Sequence, residues 1–342
     1  MNCSIGIRGT NIKKWSLTLK RPSRMYKIDQ SSRLPGLSGQ CHSSIFVLMK
    51  TKNISAPILF TVMVLSQTPA CAKDCGRDCL TNMITRYVDA LVVHDPSKLP
   101  LDDNVRYTED GRAAKLGEGI WLSVTAKGEF RQDYIDTRKQ VAAAHVHFYE
   151  GDTQILYSVL LYVKDRKITG IETLLQRVTP GSRFQPAELG APIRGMNDPV
   201  PPGKKQSRAS MIKTALTYTE GLRVGNFTDG GTPFAREAYR VENGVITAGD
   251  GCGRGDCSMY GQRLLIHPSI IASIAAVDED NGVVLLWMNF GYTGDFYGEG
   301  NALVTFEAFK VWGGEIHAIN AFFKGLPIST SRFWPSSDPV QN

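Results

Sequence analysis

Apolar residues recur at helical spacing in two places along the chain. Within 79–93, Leu80, Met83, Ile84, Tyr87, Val88 and Leu91 fall on one face, and within 210–222, Met211, Ile212, Ala215, Leu216 and Leu222 do much the same. Each pattern predicts an amphipathic helix that opens one half of the chain. Strand-like patterns follow each helix. Residues 141–163 read as a hairpin turning at Glu150-Gly151-Asp152, and 270–290 as one turning at Asp280-Asn281-Gly282, where Asn-Gly is a strong turn signal. Each half ends on a further strand, 167–172 and 315–320.

Between helix and hairpin, 105–111 and 238–244 are related stretches, in which Glu109 matches Glu242 and Gly111 matches Gly244. A Pro/Gly-rich polar run over 179–206 lacks either periodicity and reads as a linker. Helix beside strands, repeated in tandem, is an α+β arrangement with a first domain at 73–178, a second at 207–327 and a tail at 328–342. From Glu109 to Ile168 is 59 positions and from Glu242 to Ile316 is 74, so the second half carries extra residues, most simply placed at 250–265.

The start of the chain does not fit this plan. Met49-Lys50-Thr51-Lys52, the apolar stretch 54–65 and Ala70-Cys71-Ala72 have the order of a secretory signal peptide over 49–72, with cleavage after Ala72. Lipid attachment at Cys71 is the rival reading, but Thr68-Pro69-Ala70 lacks the aliphatic residue expected there. Met49 then reads as the translational start, with 1–48 a doubtful upstream extension, and the product is expected to be secreted or periplasmic. The apolar stretch is shorter than the roughly 20 residues a membrane span needs.

The leader also changes the charge. The whole chain has 39 Lys/Arg and 33 Asp/Glu; without residues 1–72 it keeps 29 and 32, so no basic surface for nucleic acid is expected. Four cysteines remain, Cys75, Cys79, Cys252 and Cys257, and an even number in an exported chain points to disulfides. Three pairings are open. A zinc knuckle or a redox motif would ordinarily use two-residue spacings, which are absent.

Several short runs occur in a telling order: Cys75-Gly76-Arg77-Asp78-Cys79-Leu80, His94-Asp95-Pro96, Thr108-Glu109-Asp110-Gly111, Gly117-Glu118-Gly119-Ile120-Trp121, Val277-Asp278-Glu279-Asp280-Asn281-Gly282 and Leu326-Pro327. In these, over 75–335, the chain resembles a tandem-domain group of exported proteins in the SnoaL-like branch of the nuclear transport factor 2-like superfamily. The resemblance implies two cone-shaped α+β barrels, each a cystatin-like curved sheet with helices around a pocket. It implies no cofactor and a small, largely apolar organic ligand, and leaves oligomerisation open.

Catalytic relatives often use an acidic residue at the start of the sheet as a base. The resemblance places Glu109 and Asp110 there, although Glu-Asp-Gly is also an ordinary polar turn. His145 and His147 share one strand face, and either could complete a His-carboxylate pair if that face lines the cone. Trp121, Tyr134, Tyr157, Glu242 and Trp287 are candidate ligand-binding residues, with Phe234 and Phe290 as further apolar walls; aromatics at such positions are more often core. No metal site is expected. The second half reads Asn289-Phe290-Gly291-Tyr292 where relatives tend to carry a histidine, which puts the expected chemistry in the first half. Gly249 to Asp256 reads as a loop, and its Arg254-Gly255-Asp256 as a chance tripeptide.

Two functions follow. One is a cofactor-independent lyase or isomerase working by proton transfer, and the other a non-catalytic module that binds a ligand or a partner.

Overall fold

The computed structural model describes residues 74–340, except 183, 185, 187–192 and 254–255. These belong to one compact unit, Thr68–Asn342. The expected signal peptide and upstream extension lie outside the described residues, as do Arg254 and Gly255. No helix among the described residues is long and apolar enough to cross a membrane.

The first half runs α1 (Arg77–Val92), β1 (Leu101–Glu109), β2 (Arg112–Ala113), the single turn α2 (Ile120–Ser123), β3 (Ala126–Asp136), β4 (Val141–Glu150), β5 (Thr153–Lys164) and β6 (Lys167–Val178). The second runs α3 (Arg208–Val224), β7 (Phe234–Glu242), β8 (Val245–Ala248), β9 (Ile271–Asp278), β10 (Val283–Asn289), β11 (Asn301–Trp312) and β12 (Glu315–Pro327). The two six-stranded sheets have the same order, β2-β1-β6-β5-β4-β3 and β8-β7-β12-β11-β10-β9. In each, one pair is parallel, β1 with β6 and β7 with β12, and the rest are antiparallel.

The repeat extends to irregularities. Between Leu101 and Arg106 the register slips against Ile168 and Gly170, and between Phe234 and Tyr239 it slips equally against Ile316 and Ala318. Bulges at Tyr162/Val163 and Lys310/Val311 also correspond. Such bulges bend strands and increase their twist. This register equates Glu109 with Glu242, Tyr107 with Arg240, Val159 with Glu307 and His145 with Trp287.

Each sheet is buried on both faces. On one side α1 covers Ala142, Ala144, Val146 and Phe148 of β4, and α3 covers Val284, Leu286 and Met288 of β10. The other faces meet in a shared core that includes Tyr134, Ala143, Leu160 and Leu174 from the first sheet and Leu285, Trp287, Phe306 and Ala318 from the second. The layers therefore run helix, sheet, sheet, helix. Large apolar side chains in such a core contribute roughly 1.5–3 kcal/mol each.

Ion pairs cross the seam reciprocally. Arg77, first in α1, holds Asp278, last in β9, at 2.7 and 2.8 Å, while Arg208, first in α3, holds Asp136, last in β3, at 2.5 and 3.0 Å. Each carboxylate also accepts a backbone N–H across the seam, Ile135 to Asp278 and Val277 to Asp136. The segment after β12 returns over the first sheet, where Trp334 stacks on Tyr162 and Arg332 pairs with Glu172.

Two expectations about the repeat need correction. The hairpin at 270–290 is β9–β10 and matches β3–β4, not the hairpin at 141–163, because β3 and β11 had not been recognised. The extra residues of the second half are divided between the β8–β9 connection, 249–270, and the β10–β11 connection, 290–300. The described part of 179–206 is packed, with Met196 fully buried in the seam core. Cys75 pairs with Cys79 and Cys252 with Cys257, so both disulfides are local.

Candidate functional site

A cavity of about 570 Å³ opens in the second half, on the α3 side of its sheet. Alternation along β7 sends Ala238 toward α3 and Tyr239 and Val241 toward the seam. Arg240 and Glu242, in phase with Ala238, line the cavity. Tyr218 and Leu222 reach it from α3, whose start is capped by Ser207 accepting from the Ser210 N–H and whose end turns at Gly225 with φ +76°. Leu303 and Phe323 come from β11 and β12.

The remaining wall comes from Phe184 of the 179–206 segment, Thr247 of β8 and the two connections by which the second half exceeds the first. Asp256, Gln262, Arg263, Leu264, Leu265 and His267 belong to 249–270, and Phe290, Phe296 and Tyr297 to 290–300. The Cys252–Cys257 disulfide and the Gly249 N–H donated to the Cys257 carbonyl at 2.7 Å cross-link the start of the first of these. Its Gln262 amide donates to the Thr247 carbonyl at 2.7 Å, which turns Oε1 toward Arg240.

Arg240 is the polar centre of the cavity. It donates through Nε to Thr247 Oγ1 at 3.0 Å and through its terminal nitrogens to the Tyr218 hydroxyl at 3.2 Å and Gln262 Oε1 at 2.5 Å. Glu242 lies 3.4 Å from Nε, an ion-pair rather than a hydrogen-bond separation. Beneath Arg240 and Tyr218 is Glu307 of β11, 2 % exposed, whose Oε1 has no hydrogen-bond partner. Burial, and next the negative charge of Glu242, push its pKa up to about 8, so it is chiefly a neutral acid at pH 7. Burial likewise lowers His267 to about 4 and leaves it neutral. Its ring meets Phe290 edge-on at 4.8 Å.

The residues expected to form a site in the first half do not converge. Glu109 lies on the α1 side, accepting from the Tyr107 hydroxyl at 2.7 Å and the Ile120 N–H at 3.3 Å. Asp110 is a turn residue with φ +52°, accepting from the Leu175 N–H at 3.0 Å and paired with Lys324 at 2.5 Å. His145 is on the opposite face of the sheet, in the seam, with Nδ1 3.1 Å from the Tyr134 hydroxyl and 2.9 Å from Asn320 Nδ2. Burial lowers its pKa to about 3. His147 shares that face, is 4 % exposed and packs on Tyr149. The expected His-carboxylate pairing therefore fails on strand alternation, since the α1-facing side of β4, on which Glu109 lies, carries Ala144, Val146 and Phe148 instead.

Trp121 and Tyr157 are fully buried in the first-half core, where Tyr157 meets the Tyr87 hydroxyl at 2.7 Å. Trp121 and Tyr157 both pack on Tyr87, so bulky aromatic side chains occupy the α1 side of this sheet. Tyr134 and Trp287 lie in the seam core. Of the five expected ligand-binding residues, only Glu242 lines the cavity; Phe290 lines it too, while Phe234 is core. His317 pairs with Glu237 at 2.8 Å and stacks on Trp312.

Arg240, Tyr218, Gln262, His267 and Glu307 were not singled out in the sequence. Glu307 carried a signal, a lone acid within the otherwise apolar run Phe306 to Phe309. Gln262 and His267 lie in loops with no periodic pattern.

With the fold and cavity defined, the sequence profile of a domain of unknown function, DUF8021, matches residues 204–323, which hold α3, β7 to β11 and most of β12. No curated protein sequence matches the chain. Among solved structures, a de novo designed protein with a curved β-sheet is 18% identical over 32% of this chain and 92% of its own, with a TM-score of 0.26. A candidate ketosteroid isomerase from Kribbella flavida DSM 17836 is 17% identical over 33% of this chain and 93% of its own, with a TM-score of 0.25.

Proposed function

We propose that the second-half cavity is the working site of an exported tandem α+β protein of SnoaL-like type, and that it takes up a small, largely apolar organic molecule. One observation carries this reading. The two connections that distinguish the second half from the first supply Asp256 to His267 and Phe290 to Tyr297 of the cavity wall, while in the first half Trp121 and Tyr157 are fully buried against Tyr87. The volume falls in the usual range for small-molecule sites, and Leu222, Leu264, Phe290, Leu303 and Phe323 give it an apolar side opposite a compact polar group. The two disulfides favour an oxidising compartment.

A second reading, proton transfer by a lyase or isomerase, is favoured by Glu242 lining the cavity beside a buried guanidinium. There Glu242, the counterpart of Glu109 in the repeat, would take a proton from a carbon next to a carbonyl while Arg240 holds the developing negative oxygen.

The test of uptake is Leu303→Trp, which fills the cavity from β11. Loss of binding across a panel of small apolar compounds, with an unchanged circular dichroism spectrum, is the expected result. Undiminished binding by the folded variant would remove the cavity from the account. If the protein turns a compound over, Glu242→Gln should slow it by about 10²- to 10⁴-fold.

A further inference from the structure

Three arginine side chains in the described structure are more than nine-tenths buried and ion-paired: Arg208, Arg240 and Arg332, at 6, 7 and 3 % exposure. Arg208 grips Asp136 at 2.5 Å and Asp338 at 2.6 Å, and Arg332 grips Glu172 at 2.9 and 3.0 Å. Both are thereby satisfied by carboxylates in hydrogen-bonding contact. Arg240 is not. Its three hydrogen bonds go to the neutral oxygens of Thr247, Tyr218 and Gln262, and its carboxylate neighbour Glu242 stands 3.4 Å off, on the Nε edge.

A guanidinium has five N–H donors, one on Nε and two on each terminal nitrogen. Thr247 takes the Nε donor, Tyr218 one from a terminal nitrogen and Gln262 one from the other. Two donors remain, one on each terminal nitrogen. Paired N–H groups on the terminal nitrogens match the two oxygens of a carboxylate, and burial of the cation makes such a partner worth far more than at an exposed arginine. Arg240 lines the second-half cavity, and Arg208 and Arg332 do not line it.

We infer that Arg240 is the seat for the carboxylate of a small organic acid, whose apolar body lies against Leu222, Phe290, Leu303 and Phe323. This rests on the reading of the cavity as a small-molecule site. His267 is neutral and adds no further cation, and the charged groups lining the cavity are Arg240 and Arg263, Glu242 and Asp256. Of the two arginines, Arg240 is the buried one held by hydrogen bonds to neutral oxygens, and selectivity for the acid is assigned to it. Glu242, on the Nε edge, need not leave for the acid to bind.

The test uses two homologous series on the folded chain: straight-chain acids from butanoate to decanoate with phenylacetate and 3-phenylpropionate, each against its own primary alcohol, by calorimetry at pH 7. At least one acid is expected to bind about 10- to 100-fold tighter than its alcohol. Arg240→Gln should abolish that preference while retaining the alcohol. Arg240→Lys, which keeps the charge but loses the fork, should reduce it and serves if the first variant does not fold. Equal binding of acids and alcohols by the wild type would overturn the carboxylate seat and leave the cavity standing. A preference that survives both substitutions would also overturn it. No binding in either series would overturn the seat together with the reading of the cavity.

Discussion

Glu307 and Asp110 illustrate how a carboxylate's surroundings decide its part. Asp110 sits where an expected base would, yet it is spent on the Leu175 N–H and Lys324, and its φ of +52° suits a two-residue turn. Glu307 was unremarked in the sequence, yet burial lifts it from 4.5 to about 8, with Tyr218 of α3 and Arg240 and Glu242 of β7 the charged and titratable groups around it. A carboxyl whose folded pKa is raised binds its proton more tightly in the native state. Its stabilising share is complete below the ordinary pKa and is lost as pH rises toward about 8. Glu307→Gln should therefore melt higher than the wild type at pH 8 to 9, by up to a few kcal/mol, with the gain vanishing near pH 4.5. Thermal melts of both proteins across that range check this, and a pH-independent difference would count against it.

The helices were legible because each shows one apolar face, and the Asn281-Gly282 and Gly151-Asp152 turns because their residues tolerate tight backbone. Strands β3 and β11 were not. In β11 successive residues from Ala302 to Val311 are all buried, since one face packs on α3 and the other on the opposing sheet, so the alternation that marks a strand is erased. In β3 charged residues at the start, such as Lys127 and Glu129, obscure a buried end. The same two-sided burial hid the site: with no polar face to orient His145 and His147, the pattern could not say that they enter the seam. In the short β7–β8 turn Asn243 has φ +44°, and its side-chain amide donates to the Phe323 carbonyl at 3.0 Å and accepts the Phe323 N–H at 2.9 Å. Asn243→Ala removes both bonds and leaves an alanine in a left-handed conformation, so a loss of roughly 3 kcal/mol in chemical denaturation is expected. A loss under about 1 kcal/mol would show that the turn does not anchor β12.

The two halves are bound into one body by reciprocal ion pairs around an apolar seam. The Arg77–Asp278 and Arg208–Asp136 pairs occupy matching places, and each fixes the start of one half's helix to the end of the other half's strand. Asp136 is fully buried and also accepts the Val277 and Lys139 N–H groups. Asp136→Ala strands these donors, although Asp338 still partners Arg208. Destabilisation by about 3–5 kcal/mol with a single cooperative transition is expected. Two separated transitions in the wild type would contradict a shared core.

On the proposed reading the second half holds the working cavity, and photoaffinity labelling tests this directly. A small aliphatic acid carrying a diazirine, irradiated with the folded protein and mapped by mass spectrometry, should modify peptides bearing Leu222, Leu264, Phe290, Leu303 or Phe323, and an excess of the parent acid should protect them. Competable labelling concentrated instead around Tyr87, Trp121 and Tyr157 would contradict the account, because the site would then lie in the half whose interior the side chains already occupy.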